Sequence, residues 1–183
     1  MAGDATNAAL WQNADVYIAA ANATGPTNVT SAWSNAWAAV GLLDGEAGFA
    51  ESREEESNEI YAWGGLLVKK TKSKHKRTIQ FTCLEDNATV FGLVNPGSTR
   101  TTAAGITTKA VKVPTLTEFA IGFETRDGAT IKRRIVKRAV VEEIGETVES
   151  ESGLTVYEVT VTIYPETDGS LYTELSGAAS VSS

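Results

Sequence analysis

The sequence predicts a mainly β fold, an antiparallel sandwich or small barrel with one short helix, and three observations carry that prediction. Apolar residues alternate with polar ones in several stretches, as in Phe119, Ile121 and Phe123 set between Glu118, Ala120, Gly122 and Glu124. Period-two alternation is the pattern of a strand with one buried face. Two dipeptides, Asp44-Gly45 and Asp127-Gly128, are strong hairpin turn signals. One stretch, Asp86–Val94, joins a capping residue to a helical apolar face, with Val90, Phe91 and Val94 together.

Taken in order, residues 1–14 read as a polar arm anchored only by Leu10 and Trp11. Asp15–Ala19 alternates as a short strand, and Asn22–Thr30, with Gly25-Pro26, is a loop. Trp33, Ala36, Trp37 and Val40 fall at helical spacing behind a capping Ser31, which predicts a helical turn leading into a strand at Val40–Leu43. After Asp44-Gly45 a return strand is expected over Glu46–Ser52. Leu66–Thr71 and Arg77–Leu84 are expected to pair as a hairpin with its tip at Lys72–Lys76, and Gly64-Gly65 supplies a bend before it. Asp86 or Asn87 caps the helix, and Pro96-Gly97 stops it after about two turns, too short to stand without a sheet beneath it. Ser98–Lys112 is rich in Thr, Ala and Gly and reads as a long loop. Strands follow at Glu118–Thr125, Thr130–Val136, Ala139–Glu149 and Leu154–Tyr164, and Asp168–Ser183 reads as a tail. All of this fits a single domain over residues 1–183.

Charge is concentrated in one segment. Glu51, Glu54, Glu55, Glu56 and Glu59 precede an apolar turn with Trp63, and Lys69, Lys70, Lys72, Lys74, Lys76 and Arg77 follow it. Opposite blocks on one segment either meet each other or meet the same segment of a neighbouring copy. Each block carries too much charge to be buried without a partner.

The chain has 183 residues, 42% of them hydrophobic and 21% charged, with a net charge of −7. That is an ordinary globular composition with room for a sizeable core. The negative balance argues against a protein held to duplex DNA by phosphate neutralisation. A single cysteine, Cys83, leaves no internal disulfide, and its neighbours Phe81 and Leu84 mark it as a small buried hydrophobe. No apolar run approaches the ~20 residues of a membrane span, and with no basic or apolar run behind it Met1–Asp4 is not expected to begin a signal peptide. Asn22, Asn28 and Asn87 each open a glycosylation pattern, which without a secretory signal indicates only surface polarity.

Little here points to catalysis. His75, the only histidine, sits between Lys74 and Lys76 with no carboxylate in sequence to orient it. One His and one Cys do not make a zinc site, and neither a phosphate-binding glycine loop nor a calcium loop is present. No cofactor and no enzyme activity is expected. The basic segment lacks the interleaved aromatics that stack on bases.

The order of these stretches carries a resemblance. Trp37-Ala38-Ala39-Val40-Gly41-Leu42-Leu43-Asp44-Gly45 is followed by the acidic link and by Ile60-Tyr61-Ala62-Trp63-Gly64-Gly65. After the basic segment come Phe81-Thr82-Cys83-Leu84-Glu85-Asp86-Asn87 and, near the end, Tyr157-Glu158-Val159-Thr160-Val161-Thr162-Ile163-Tyr164-Pro165. The pattern resembles the major tail (tail tube) proteins of long-tailed phages, especially siphophages of actinobacteria, over roughly residues 37–95 and 117–166. The resemblance implies a β-sandwich subunit with a flanking helix, six copies to a ring, and rings stacked into a hollow tube in the virion tail. It implies sheet edges joined between neighbours and genome DNA passing through the lumen without specific binding. It also implies tape measure, tail terminator and tail tip proteins as partners. A monomeric β-sandwich module that binds carbohydrate or protein is the competing class, and an enzyme with a carboxylate pair is a third.

Within the tube reading, the charged segment, Glu51 to Glu59 and Lys69 to Arg77 with Trp63 between them, is expected to contact neighbouring subunits. The polar faces of the late strands, with Glu118, Glu124, Glu158, Thr160 and Thr162, are expected to line the lumen, where Lys132 and Arg134 would weaken the negative potential. Phe91 and its neighbours are expected to pack the helix on the outside of the sheet.

Overall fold

In a computed structural model of the chain, residues 3–4 and 8–179 are described, so the ends of the expected arm and tail lie partly outside them. Strands β1 (Asn13–Ala20), β2 (Ala38–Ala39), β3 (Ala50–Tyr61) and β4 (Leu67–Cys83) precede helix α1 (Ala88–Val94). Strands β5 (Thr99–Ala103), β6 (Ile106–Ala110), β7 (Phe119–Asp127), β8 (Thr130–Ile144), β9 (Tyr157–Ile163) and β10 (Thr173–Ala178) follow. The main sheet runs β2-β1-β7-β8-β9-β4-β3, all neighbours antiparallel, with β10 paired to the first half of β8. It stays open at both ends, which fits a sandwich and not a closed barrel.

Alternation builds the core as the sequence predicts. Val16, Ile121, Phe123, Val136, Val159, Val161, Ile79 and Phe81 share one buried cluster from β1 across to β4. Register explains it, because Val16 lies opposite Phe123, Ile121 opposite Val136, and Val161 opposite Ile79. Cys83 is fully buried in the same cluster, and burial pushes its thiol up to about 12. Asn87 caps α1 by accepting a hydrogen bond from the Val90 amide, and its own amide donates to the Val40 carbonyl. Its side chain is therefore structural, not a surface glycosylation site. Val90, Phe91 and Leu93 are the buried residues of α1, so Leu93 takes the place expected for the partly buried Val94.

Several expectations are corrected. Residues 31–37 form no helix. Trp33 and Trp37 instead lie along the far face of β1 and β7, with the Trp33 ring stacked on Tyr17 at 4.5 Å and meeting Trp37 edge-on at 4.9 Å. Two anchors on an extended strap mimic helical spacing. The strand expected at Val40–Leu43 reduces to the two residues of β2 and a single bridge from Leu43 to Cys83.

The long hairpin turns elsewhere than expected. β3 pairs with β4 along its length, and the chain reverses over residues 62–66, where Gly64 and Gly65 take φ of 88° and 82°. That left-handed backbone suits glycine. Lys72–Lys76 lie inside β4, at a bulge where Lys74 has φ 54°. Residues 98–112 are no loop but the β5–β6 hairpin, turned at Ala104-Gly105. Lys109 and Arg100 from that hairpin both contact Asp86 at the start of α1. Lys137-Arg138 does not separate two strands; β8 runs through it with a register shift against β7 and ends at Ile144, short of Glu149. Part of the expected tail is strand β10.

Candidate assembly surfaces

Three regions carry the residues singled out by sequence, and their environments differ. The first is the β3–β4 hairpin. At its root Glu51 is largely buried and meets Arg134 at 2.9 Å and Arg77 at 3.4 Å, while Arg77 also lies over the Tyr172 ring. These two residues fasten the hairpin to the body. Lys76 reaches Glu142 at 2.7 Å, and Glu54 lies opposite it across the hairpin.

Beyond the root both strands are exposed, and the acidic and basic blocks meet each other. Lys70 bonds Glu59 at 2.7 Å, Lys72 bonds Glu55, and Lys74 approaches Glu56 at 2.8 Å. The Lys72 and Lys70 ammonium groups hold Glu55 and Glu59 below the usual carboxylate range. His75, expected at a loop tip, is a strand residue whose ring nitrogen lies 3.3 Å from Glu55. The apolar residues at the end of the hairpin are uncovered, and Trp63 is 104% exposed. Lys69, beside them, lies opposite Ile60.

The second region is buried. Glu124 is 2% exposed, a correction to its expected place on an open channel wall. The strap over residues 22–37 covers it. Trp33 Nε1 donates to its Oε2 at 2.7 Å and Arg133 Nε to the same oxygen at 2.7 Å, while Arg126 binds the other oxygen. Burial pushes this carboxyl up, but the hydrogen bonds from Trp33 and Arg126 and the charges of Arg133 and Arg126 outweigh it and hold it below the usual range. Arg133 in turn donates to the carbonyls of Asn28 and Ser31 at 2.8 and 2.6 Å, tying the strap down.

The third region is the same sheet face farther along, over β9 and β4, where the strap does not reach. Glu158 is exposed and Thr160 half-buried. Thr162 is buried and donates to Glu142 at 2.8 Å, so it too leaves the expected channel-facing set. Glu118, just before β7, is exposed and paired to Arg138 at 2.9 Å. Lys132 and Arg134 lie opposite Thr125 and Phe123, on the other face of the sheet from Glu124, and pair there with Glu174 and Glu51, so, contrary to expectation, neither shares that wall.

Among the described residues no group of three or more His, Cys, Asp or Glu is placed to hold a metal. What the subunit offers is an open sheet with a projecting arm. A family model described as phage tail tube protein matches residues 1–181. This chain belongs to the phage tail tube proteins. Membership makes it a structural component of a phage virion tail, built to assemble with itself. No curated protein matches closely enough to add a relative. An uncovered arm and an unpaired sheet edge are surfaces on which another chain can pair. Of its described helices, none is long and apolar enough to cross a membrane.

Proposed function

We propose that copies of this chain join head to tail into rings of six, and that the rings stack into the hollow tube through which the phage genome passes. The observation that carries the reading is the β3–β4 hairpin of a tail tube protein, which extends from the body with both strands exposed and an uncovered apolar tip. β3 is also the last strand of the sheet, so its outer edge offers twelve residues of backbone to a neighbour. Joining such edges around a ring removes them, as closure does in any barrel. A heterologous contact closes into a ring when its rotation permits.

Glu118, Glu158 and Thr160 are the remaining candidates for the lumen wall. Arg138 offsets the charge of Glu118, so Glu158 supplies the negative charge of such a wall, which repels phosphates and lets DNA slide without sticking, in agreement with the net charge of −7. The hairpin serves assembly, its ion pairs holding the arm straight and its tip reaching the next subunit. Assembly takes place in the host cytoplasm on the tape measure, tail tip and terminator proteins. Negative-stain microscopy of concentrated protein tests the proposal. Hollow rods or rings with a central channel support it; a single sharp monomer peak at high concentration, with featureless micrographs, refutes it in favour of a monomeric binding module.

A further inference from the structure

The hairpin tip needs a receptor, and the same chain carries a surface that fits one. A groove of about 790 Å³ runs beside α1, walled by Thr89, Gly92 and Leu93, by Leu116 of the segment before β7, and by Val141 and Ile144 of β8. It is mostly apolar, and Leu116 at its rim is 80% exposed. The tip presents Ile60, Tyr61, Trp63 and Leu66, all exposed. A fully exposed tryptophan at the end of an arm and an open apolar groove are complementary chemistries on one molecule.

Charge agrees with shape. Lys69 stands at the tip and Glu143 lines the groove, and among the described residues neither forms an ion pair. The other hairpin lysines already have partners within their own chain. Reach decides whose groove is filled. Lys76 contacts Glu142, which lines the chain's own groove. From there β4 carries the tip away to Leu67, about 30 Å at the rise of an extended strand. The tip therefore does not fold back without breaking the β3–β4 pairing, and the occupant is a second copy.

We infer that the apolar tip of one copy, centred on Trp63, seats in the groove beside α1 of a neighbouring copy, with Lys69 against Glu143. The inference rests on the tail tube reading and names the receiving surface. Plug and socket lie at different places on the subunit, so each copy gives one contact and receives one, the head-to-tail geometry that builds rings or stacks.

Site-directed cross-linking tests it in the full-length chain. Ala62→Cys places a thiol beside Trp63 and keeps the anchor. Gly92→Cys places one in the groove, where an added Cβ meets nothing within 4 Å. The native Cys83 is buried with its thiol held at about 12, so it stays inert under mild oxidation. A mixture of the two single variants, assembled and oxidised, is expected to give covalent dimers that neither variant gives alone. Tubes that form without that cross-link overturn the inference and leave the tube reading standing; wild-type protein that never self-associates overturns both. Trp63→Ala is expected to leave the far-ultraviolet spectrum unchanged and to raise the concentration needed for assembly about 30-fold or more, the scale of a buried tryptophan anchor. An unchanged assembly concentration also overturns it.

Discussion

Glu124 and Glu55 each face basic side chains at hydrogen-bonding distance, yet they belong to different physics. Glu124 lies under the Trp33 strap with Arg133 beside it, both nearly inaccessible to water. Glu55 sits on an exposed strand with Lys72 and His75, all three well solvated. In water such a pair contributes about 0–1 kcal/mol, because solvent screens the attraction and two long side chains must be held still. Inside the protein, neither charge of a pair can lose its partner without a heavy desolvation cost. The buried set therefore fixes how the strap lies on the sheet, and the exposed set is free to shape an arm at little cost to stability.

The strongest way to break this comparison is to remove the buried partner. Glu124→Ala leaves Arg133 charged and sequestered, and is expected to lower stability by about 3–5 kcal/mol in urea unfolding. Glu124→Leu combined with Arg133→Met is expected to recover much of that loss, since apolar side chains of similar volume often replace a buried pair without penalty. A loss below about 1 kcal/mol for Glu124→Ala would mean that the cluster is solvated and no different from the hairpin.

A smaller effect is expected at the glycine beneath the strap. A Cβ at Gly122 lies 2.2 Å from the Trp33 ring, with the next ring atoms at 2.5 and 3.1 Å. Gly122→Ala must lift Trp33 from Tyr17 and lengthen its bond to Glu124, at a cost of about 1–3 kcal/mol. Near-ultraviolet circular dichroism reports the stack directly, and an unchanged tryptophan signal would show that the ring is not packed there.

Acid sharpens the comparison in a third way. The folded Glu124 carboxyl is held below its ordinary value of 4.5. A depressed carboxylate contributes stability that is fully present above its unfolded value and is lost as pH falls through the folded one. Wild-type stability is therefore expected to fall more steeply below about pH 4 than that of Glu124→Gln. The exposed Glu55 and Glu59 titrate in the same direction, and their substitution is expected to change the slope little. Equal slopes for wild type and Glu124→Gln would remove Glu124 from the account.

Most of the sheet was legible because its strands bury one face, and alternation records that. Helix α1 was legible from its Asn87 cap. The hairpin tip was misplaced because residues 51–77 bury almost nothing beyond the root, so their sequence carries no period. Only Gly64-Gly65 marks the turn, and in sequence a glycine pair signals a bend as readily as a reversal. The β5–β6 hairpin was missed for the same reason, since Thr-rich strands without an apolar face look like loop. Alternation puts Glu124 on the polar face of β7, but the strap that covers it comes from a segment some ninety residues away in sequence. A signal did exist. Tyr17, Ala120 and Gly122 put one large ring and two small residues on that face, which is how a sheet makes room for a cover.

The smallest effect on stability is expected where the sequence shows most charge. Changing Lys70, Lys72 and Lys74 to Glu sets them against Glu59, Glu55 and Glu56. The subunit is expected to stay folded, losing roughly 1 kcal/mol, because every pair is exposed. Assembly is expected to fail, because like charges facing each other splay the arm that carries Trp63. Adding Glu55→Lys, Glu56→Lys and Glu59→Lys restores the ladder with its polarity reversed, and tubes are expected to return. Mixing then separates two roles that a rescue alone confounds. If the pairs act within one hairpin, as the structure has them, the six-fold swapped chain co-assembles with wild type into mixed tubes. If they act between copies, swapped and wild-type chains repel and sort into separate tubes. Differently labelled subunits read the outcome by energy transfer at low salt, where screening over about 8–10 Å does not hide the repulsion. Sorted tubes would show that the ladder seen within one chain is exchanged between neighbours in the tail. Mixed tubes would confine its role to stiffening the arm and leave the apolar tip to make the contact.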